Sequence, residues 1–267
     1  MASGMRLYLR YIGVSLRSQL QYPASFMMMA VGNLVINGIE FFGVWALFAR
    51  FGSLKDWMLA EVALFYGMVH MAFAIAEATA RGFDILHRYV RSGDFDRILL
   101  RPRSTVLQVM GLEFQLMRVG RFIQGLVVLV WGIAHLEIAL TFPKYILMGA
   151  AILGGSFLFA GLFVLQATLS FWSVDSLEII NLTTYGGVET AQVPISLYRG
   201  WFRSFFTWII PLATINYFPL MAILAHEDPL DVPLWLSWLS PLGGPVFFWI
   251  CLRIWEVGVR HYHSTGS

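Results

Sequence analysis

Charge is scarce in this chain: 13% of its 267 residues are charged, against roughly 25% in soluble domains. Lysine is nearly absent, with only Lys55 and Lys144, and neither closes a phosphate-binding loop. Such a loop ends in Gly-Lys-Ser/Thr, whereas Leu54 precedes Lys55 and Pro143 precedes Lys144. The chain therefore carries no ATP site of its own and does not read as an enzyme. Other catalytic patterns are missing too: Met71 follows His70 where an HExxH zinc motif needs glutamate, and no GxSxG elbow occurs. A single cysteine, Cys251, excludes an internal disulfide and a cysteine-based metal cluster; it reads as an apolar helix residue. No cofactor or metal is expected within the chain. The arginines sit in short segments between apolar runs, which does not make a nucleic-acid surface.

Apolar surface is what the chain has in excess. Hydrophobic residues make up 58% and aromatics 16%, with 10 Trp, and Trp and Tyr favour the headgroup level of a bilayer. The composition is that of an integral membrane protein. Residues 26–49 contain no cation and are long enough, at about 1.5 Å per residue, for a hydrocarbon core of roughly 30 Å. Further spans are expected at 57–80, 122–142, 145–172, 205–225 and 232–254, six in all. Pro211 and Pro219 break the fifth, and Pro241 and Pro245 predict a kink or re-entrant turn in the sixth. The fourth is rich in small residues such as Gly154, Gly155 and Gly161, which let neighbouring helices approach closely. Ahead of the first span, residues 5–22 interleave Arg6, Arg10 and Arg17 with Leu7, Tyr11, Val14 and Leu20 in a helical period, the pattern of an interfacial amphipathic helix. No cleavage-site pattern follows, so a removed signal peptide is not expected.

With six spans, the cations fall almost wholly on one side. Of the 18 Lys and Arg, only Arg50, Lys55 and Lys144 lie on the other. The positive-inside bias puts both termini and the loop after the second span in the cytosol.

That loop, residues 88–108, is the most charged stretch of the chain, with Arg88, Arg91, Arg97, Arg101 and Arg103 set against Asp94 and Asp96. A charge at the bilayer centre costs about 2.5–3.5 kcal/mol on insertion scales, so the stretch belongs in water. Within it Ile98, Leu99 and Leu100 form an apolar knob between Gly93, which permits a tight turn, and Pro102, which stops a helix. This is how a short docking helix looks in sequence.

The same residues carry a family resemblance. Gly93 to Pro102, GDFDRILLRP, followed by Gln108, resembles the cytosolic pattern G-x-[LF]-D-x-x-L-[LI]-R-P of bacterial type-2 ABC export permeases (ABC-2 type transporters). Phe171-Trp172, Pro194-Ile195-x-x-Tyr198, Pro211 with Tyr217-x-Pro219, and the close from Gly258 through Tyr262 to Ser264, Gly266 and Ser267 extend the likeness over most of the chain. Arg199 departs from it, standing where the pattern has proline.

The resemblance implies an all-α integral membrane fold: six transmembrane helices, an N-terminal interfacial amphipathic helix and a cytosolic coupling helix between spans 2 and 3, in one domain over residues 1–267. It implies the transmembrane permease subunit of an ATP-driven exporter in the bacterial inner membrane. A separate nucleotide-binding ATPase subunit, holding ATP and Mg, would dock on Gly93, Asp94, Asp96, Arg97, Leu99, Leu100, Arg101 and Pro102. A second permease chain, identical or paralogous, would complete the pathway among membrane lipids. An amphiphilic or hydrophobic compound, drug or lipid, suits the aromatic-rich spans as substrate.

Polar residues within spans are the candidates for the path. Asn33, Asn37 and Glu40 share one face of the first span; Glu40 faces either a water-accessible path, or the outer interface or a neighbouring helix. His70 in the second span and Asn216 in the fifth are further candidates, each with a packing role as its plainer reading. Glu77 and Arg81 have the i, i+4 spacing of a helical ion pair. A stand-alone proton-coupled secondary transporter or channel, driven through Glu40 or His70, is the alternative reading; the two halves of the chain show none of the duplication common in such carriers.

Overall fold

A computed structural model describes residues 2–54, 57–172, 177–226 and 232–263. Lys55 and the closing Ser264, Gly266 and Ser267 lie outside the described residues, as do the side chains of Asn33 and Asn37. Among the described residues the structure is helical, with one isolated bridge between Leu54 and Trp57. The helices are α1 (Ala2–Leu20), α2 (Pro23–Phe51), α3 (Leu59–Asp84), α4 (Leu86–Arg91), α5 (Phe95–Leu99), α6 (Thr105–Met110) and α7 (Arg118–Ala134). Then come α8 (Phe142–Leu169), α9 (Leu177–Ala191), α10 (Gly200–Ser204), α11 (Tyr217–Leu224), α12 (Leu234–Leu239) and α13 (Gly243–His261).

Among the described residues, four helical runs are long and apolar enough to cross a membrane: α2, α3 continued through α4 to Arg91, α8, and α12 with α13 from Leu234 to His261. A fifth candidate is bent, Gly200–Ile209 meeting Leu212–Leu224 at 67°. Phe205–Ile209 winds as a π turn just before Pro211, whose ring removes a backbone donor and ends the helix. At Pro241 the expected kink is a 3-10 turn, Ser240–Leu242, that keeps α12 and α13 in one run.

The stretch expected as the third span differs most from its sequence reading. α7 begins at Arg118 and stops at Ala134, well short of residue 142. Its 17 residues reach about 25 Å, less than a hydrocarbon core of roughly 30 Å. His135 closes it, its N–H bonding the carbonyls of Trp131 and Gly132 at 3.2 and 3.1 Å and its ring stacking on Trp131. α8 instead starts early, at Phe142, with Pro143 in its first turn, where a missing N–H costs no hydrogen bond.

α3 is the axis of the bundle. α7 and α8 both pack along it, and α13 packs on α8. Small residues make these approaches close enough for backbone to meet backbone: a Cβ on Gly67 of α3 would sit 2.7 Å from the Gly125 carbonyl of α7. Gly244 of α13 presses on the Gly154 carbonyl of α8 in the same way. Without a hydrophobic driving force between helices in lipid, such close van der Waals packing is what holds spans together. α2 by contrast touches the bundle mainly through α7, with Phe41 tilted against Tyr66 and edge-on to Trp131. α1 is tied on by polar bonds: Ser15 Oγ donates to the Phe114 carbonyl at 2.9 Å, Gln19 Oε1 accepts from Leu116 N–H at 3.0 Å, and Tyr8 Oη donates to the Thr79 carbonyl at 3.0 Å.

Candidate functional site

Two polar regions hang from the lower end of α3. The first is the loop of α4 to α6. α4 extends the line of α3 past Ile85, and Gly93 then turns the chain with φ of 75°, a backbone conformation open to glycine at little cost. α5 follows. Its inward side is apolar: Phe95 is fully buried, edge-on to Tyr262 at 5.0 Å and tilted against Phe171 at 5.1 Å, and Ile98 is buried beside it. Trp255 of α13 joins this aromatic cluster and donates its indole N–H to Thr105 Oγ1 at 3.2 Å. Asp96 also turns inward, to the Tyr262 phenol; burial first, and the carboxylate second, push that phenol up to about 12. From beneath, buried Gln108 donates its amide to the carbonyls of Ile98 and Arg103, both at 3.2 Å, and so closes the loop.

The outward side carries the rest of the predicted docking residues. Leu99 is 38% and Leu100 84% exposed, and Arg97, Arg101 and Pro102 are exposed around them. Asp94 is held by Ser92 Oγ at 2.7 Å and pairs with Arg97 at 3.5 Å; an exposed pair of this kind contributes at most about 1 kcal/mol. The sequence-predicted set therefore divides. Gly93 makes the turn, Asp96 fastens the helix, and Arg97, Leu99, Leu100, Arg101 and Pro102 present an apolar knob ringed by cations.

The second region is a buried charge network that sequence reasoning missed. Glu77 on α3 receives Arg118 at 3.2 Å and Arg121 at 3.1 Å from α7, and the Arg121 guanidinium also lies over the Phe73 ring at 5.2 Å. This corrects the expected Glu77–Arg81 pair: Arg81 turns away to Asp84 and to the Tyr185 hydroxyl of α9, at 3.0 Å from the latter. Asp84 in turn accepts from Gln166 of α8 at 2.9 Å. Four helices thus meet here, α3 and α7 through ion pairs and α8 and α9 through hydrogen bonds to them. The usable sign in the sequence was the repeat of polar residues at 77, 81 and 84 and again at 118 and 121, each on a single helical face.

Of the predicted path residues with described side chains, Glu40 and His70 both neighbour Tyr66, and Asn216 bonds elsewhere. Asn33 and Asn37 belong to α2, and Glu40, half-buried on the same helix, lies within electrostatic reach of Tyr66. His70 is 2% exposed and stacks on Tyr66 with ring centroids 4.0 Å apart, wedged between α3 and Gly125 of α7. Asn216 is a structural tie: its Oδ1 caps α11 at Tyr217 N–H, 2.6 Å away, and its Nδ2 donates to the Ala191 carbonyl at the end of α9. Arg199 takes an extended conformation, φ −100° and ψ 145°, as the N-cap of α10.

A family model described as ABC-2 family transporter protein matches residues 34–266. The chain belongs to the ABC-2 transporter family. It is a multi-pass membrane protein and the membrane component of an ABC permease, and association with an ABC ATPase subunit is general in the ABC-2 family. The match spans both polar regions, from Glu40 to Tyr262. Neither a curated protein nor a solved structure matches the chain.

Proposed function

We propose that this chain is the transmembrane permease subunit of an ATP-driven exporter and that α5, with the residues around it, is the seat for a separate nucleotide-binding subunit. The observation that carries the reading is the two-faced α5: Phe95 and Ile98 anchor it, while Leu99 and Leu100 project among Arg97 and Arg101. Large exposed apolar side chains ringed by charge mark a protein-binding surface more than a solvated loop. The cationic ring suits an acidic rim on the ATPase, which would hold ATP and Mg. Counted as six crossings, with the bent pair as one and α7, at the short end of the range for a span, as another, the helices would put both termini and α5 on the cytosolic side of a bacterial inner membrane, in keeping with the arginine bias. α1 would lie in the interface there. A second permease chain, identical or paralogous, would complete the pathway, and an amphiphilic or hydrophobic compound remains the substrate class that the apolar, aromatic spans suit.

The test is co-purification with a candidate ATPase, comparing wild type with Leu100→Asp and Arg101→Glu. Both positions are exposed, so these variants stay in the membrane and stay folded, with stability changed by less than about 0.5 kcal/mol. Loss of the ATPase from the complex, and of its stimulated ATP hydrolysis, is the expected result. Retention of a fully active complex in both variants would remove α5 from the docking role.

A further inference from the structure

A groove of about 340 Å³ runs between α9 and the segment formed by α10 and the π turn. Leu182, Gly186 and Thr190 follow one face of α9, and Trp201, Phe202 and Phe206 stand opposite. Phe202 touches both neighbouring rings, at 5.7 Å to Trp201 and 4.9 Å to Phe206. The groove is at the small end of the range for ligand sites, roughly 300–1,000 Å³, and among the described residues no charged one lines it. The Thr190 hydroxyl is already engaged by the Gly186 carbonyl at 2.7 Å. A sugar or a peptide would lose its hydration here with little in return, whereas a hydrocarbon chain would lose nothing.

Two features give the occupant its headgroup and its source. Arg199 caps α10 and Arg203 lies within it, one turn apart on the segment that supplies the aromatic wall, although neither lines the groove itself. Trp201 and Trp208, both exposed, are the kind of residue that sits at the membrane–water boundary, and basic sites between spans at that level recruit anionic lipid headgroups. We propose that the groove holds one acyl chain of an anionic phospholipid from the surrounding bilayer, with its phosphate at Arg199 and Arg203.

The probe is phosphatidylglycerol with a diazirine near the end of one acyl chain, photolysed with the full chain in nanodiscs and mapped by peptide mass spectrometry. Phosphatidylcholine and free palmitate carrying the same diazirine serve as the other arms. A Cβ at Gly186 would meet only Leu182, at 3.8 Å, so Gly186→Leu fills the groove without disturbing the helix. Labelling by phosphatidylglycerol at Leu182, Trp201 and Phe206 is expected to fall about tenfold in Gly186→Leu, as about two methylene contacts are displaced. It is expected to fall severalfold in Arg203→Gln, while labelling of the exposed α2 stays unchanged in both and reports that the variants are folded. Equal labelling by phosphatidylcholine, labelling by palmitate alone, or labelling indifferent to Gly186→Leu would overturn the proposal, leaving ordinary boundary lipid or a free fatty acid.

Discussion

α2 and α3 are alike in hydropathy and unlike in how far the chain buries them. Both are long and apolar enough to cross a membrane, yet none of the most apolar stretch of α2 is buried within the chain, against 78% of that of the α3–α4 run. Their glycines make the difference plain. Gly32, Gly38 and Gly43 of α2 have nothing within 4 Å of a built Cβ, whereas Gly67 of α3 is pressed against the backbone of α7 and Gly82 against the Val109 carbonyl. Hydropathy identifies a helix that a bilayer will accept; side-chain size along each face decides which helix becomes the axis and which is left for lipid or for another chain.

The comparison can be broken most sharply at Glu77, a charge that α3 holds fully buried. Glu77→Gln leaves Arg118 and Arg121 buried without their counter-charge, and a loss of about 3–5 kcal/mol is expected from breaking such a set by one member. Unfolding by sodium dodecyl sulfate in mixed micelles would measure it; a change under a fifth of that size would mean that the arginines find water or lipid phosphate instead. Next comes Gly67→Val, which forces α3 away from Gly125 and is expected to cost about 1–3 kcal/mol by overpacking in the same titration. The matched change on α2, Gly38→Val, is expected to move stability by no more than about 0.5 kcal/mol. A large effect there would show that the α2 face is covered by a partner chain in the membrane and is not bare to lipid.

How far the sequence reached depends on whether the deciding interaction was local. α2 and α8 each begin three residues ahead of the spans expected at 26 and 145, with Pro23 and Pro143 in their first turns, whereas the loop after α3 was legible because Gly93 and Pro102 frame an apolar knob in a run of charge. The end of α7 was not: residues 135–142 are apolar enough to extend a span, but the helix stops where His135 folds back on Trp131. Glu77 has Arg81 one turn on in the sequence, yet it pairs with Arg118 and Arg121 from another helix, while Arg81 has a nearer acid in Asp84. Asn216 has the composition of a pathway residue and the geometry of a cap, a distinction that needs the position of Ala191 to be known.

The manner in which α5 is fastened has a mechanical consequence. Phe95 shares its cluster with Phe171, just past the end of α8, and with Trp255 of α13, while Gln108 clamps the loop to itself. The segment is therefore stiff, more a rocker arm than a hinge. Any load applied at Leu100 is passed to α8 and α13 together, and through Gly154 and Gly244 the two are geared so closely that neither can slip past the other.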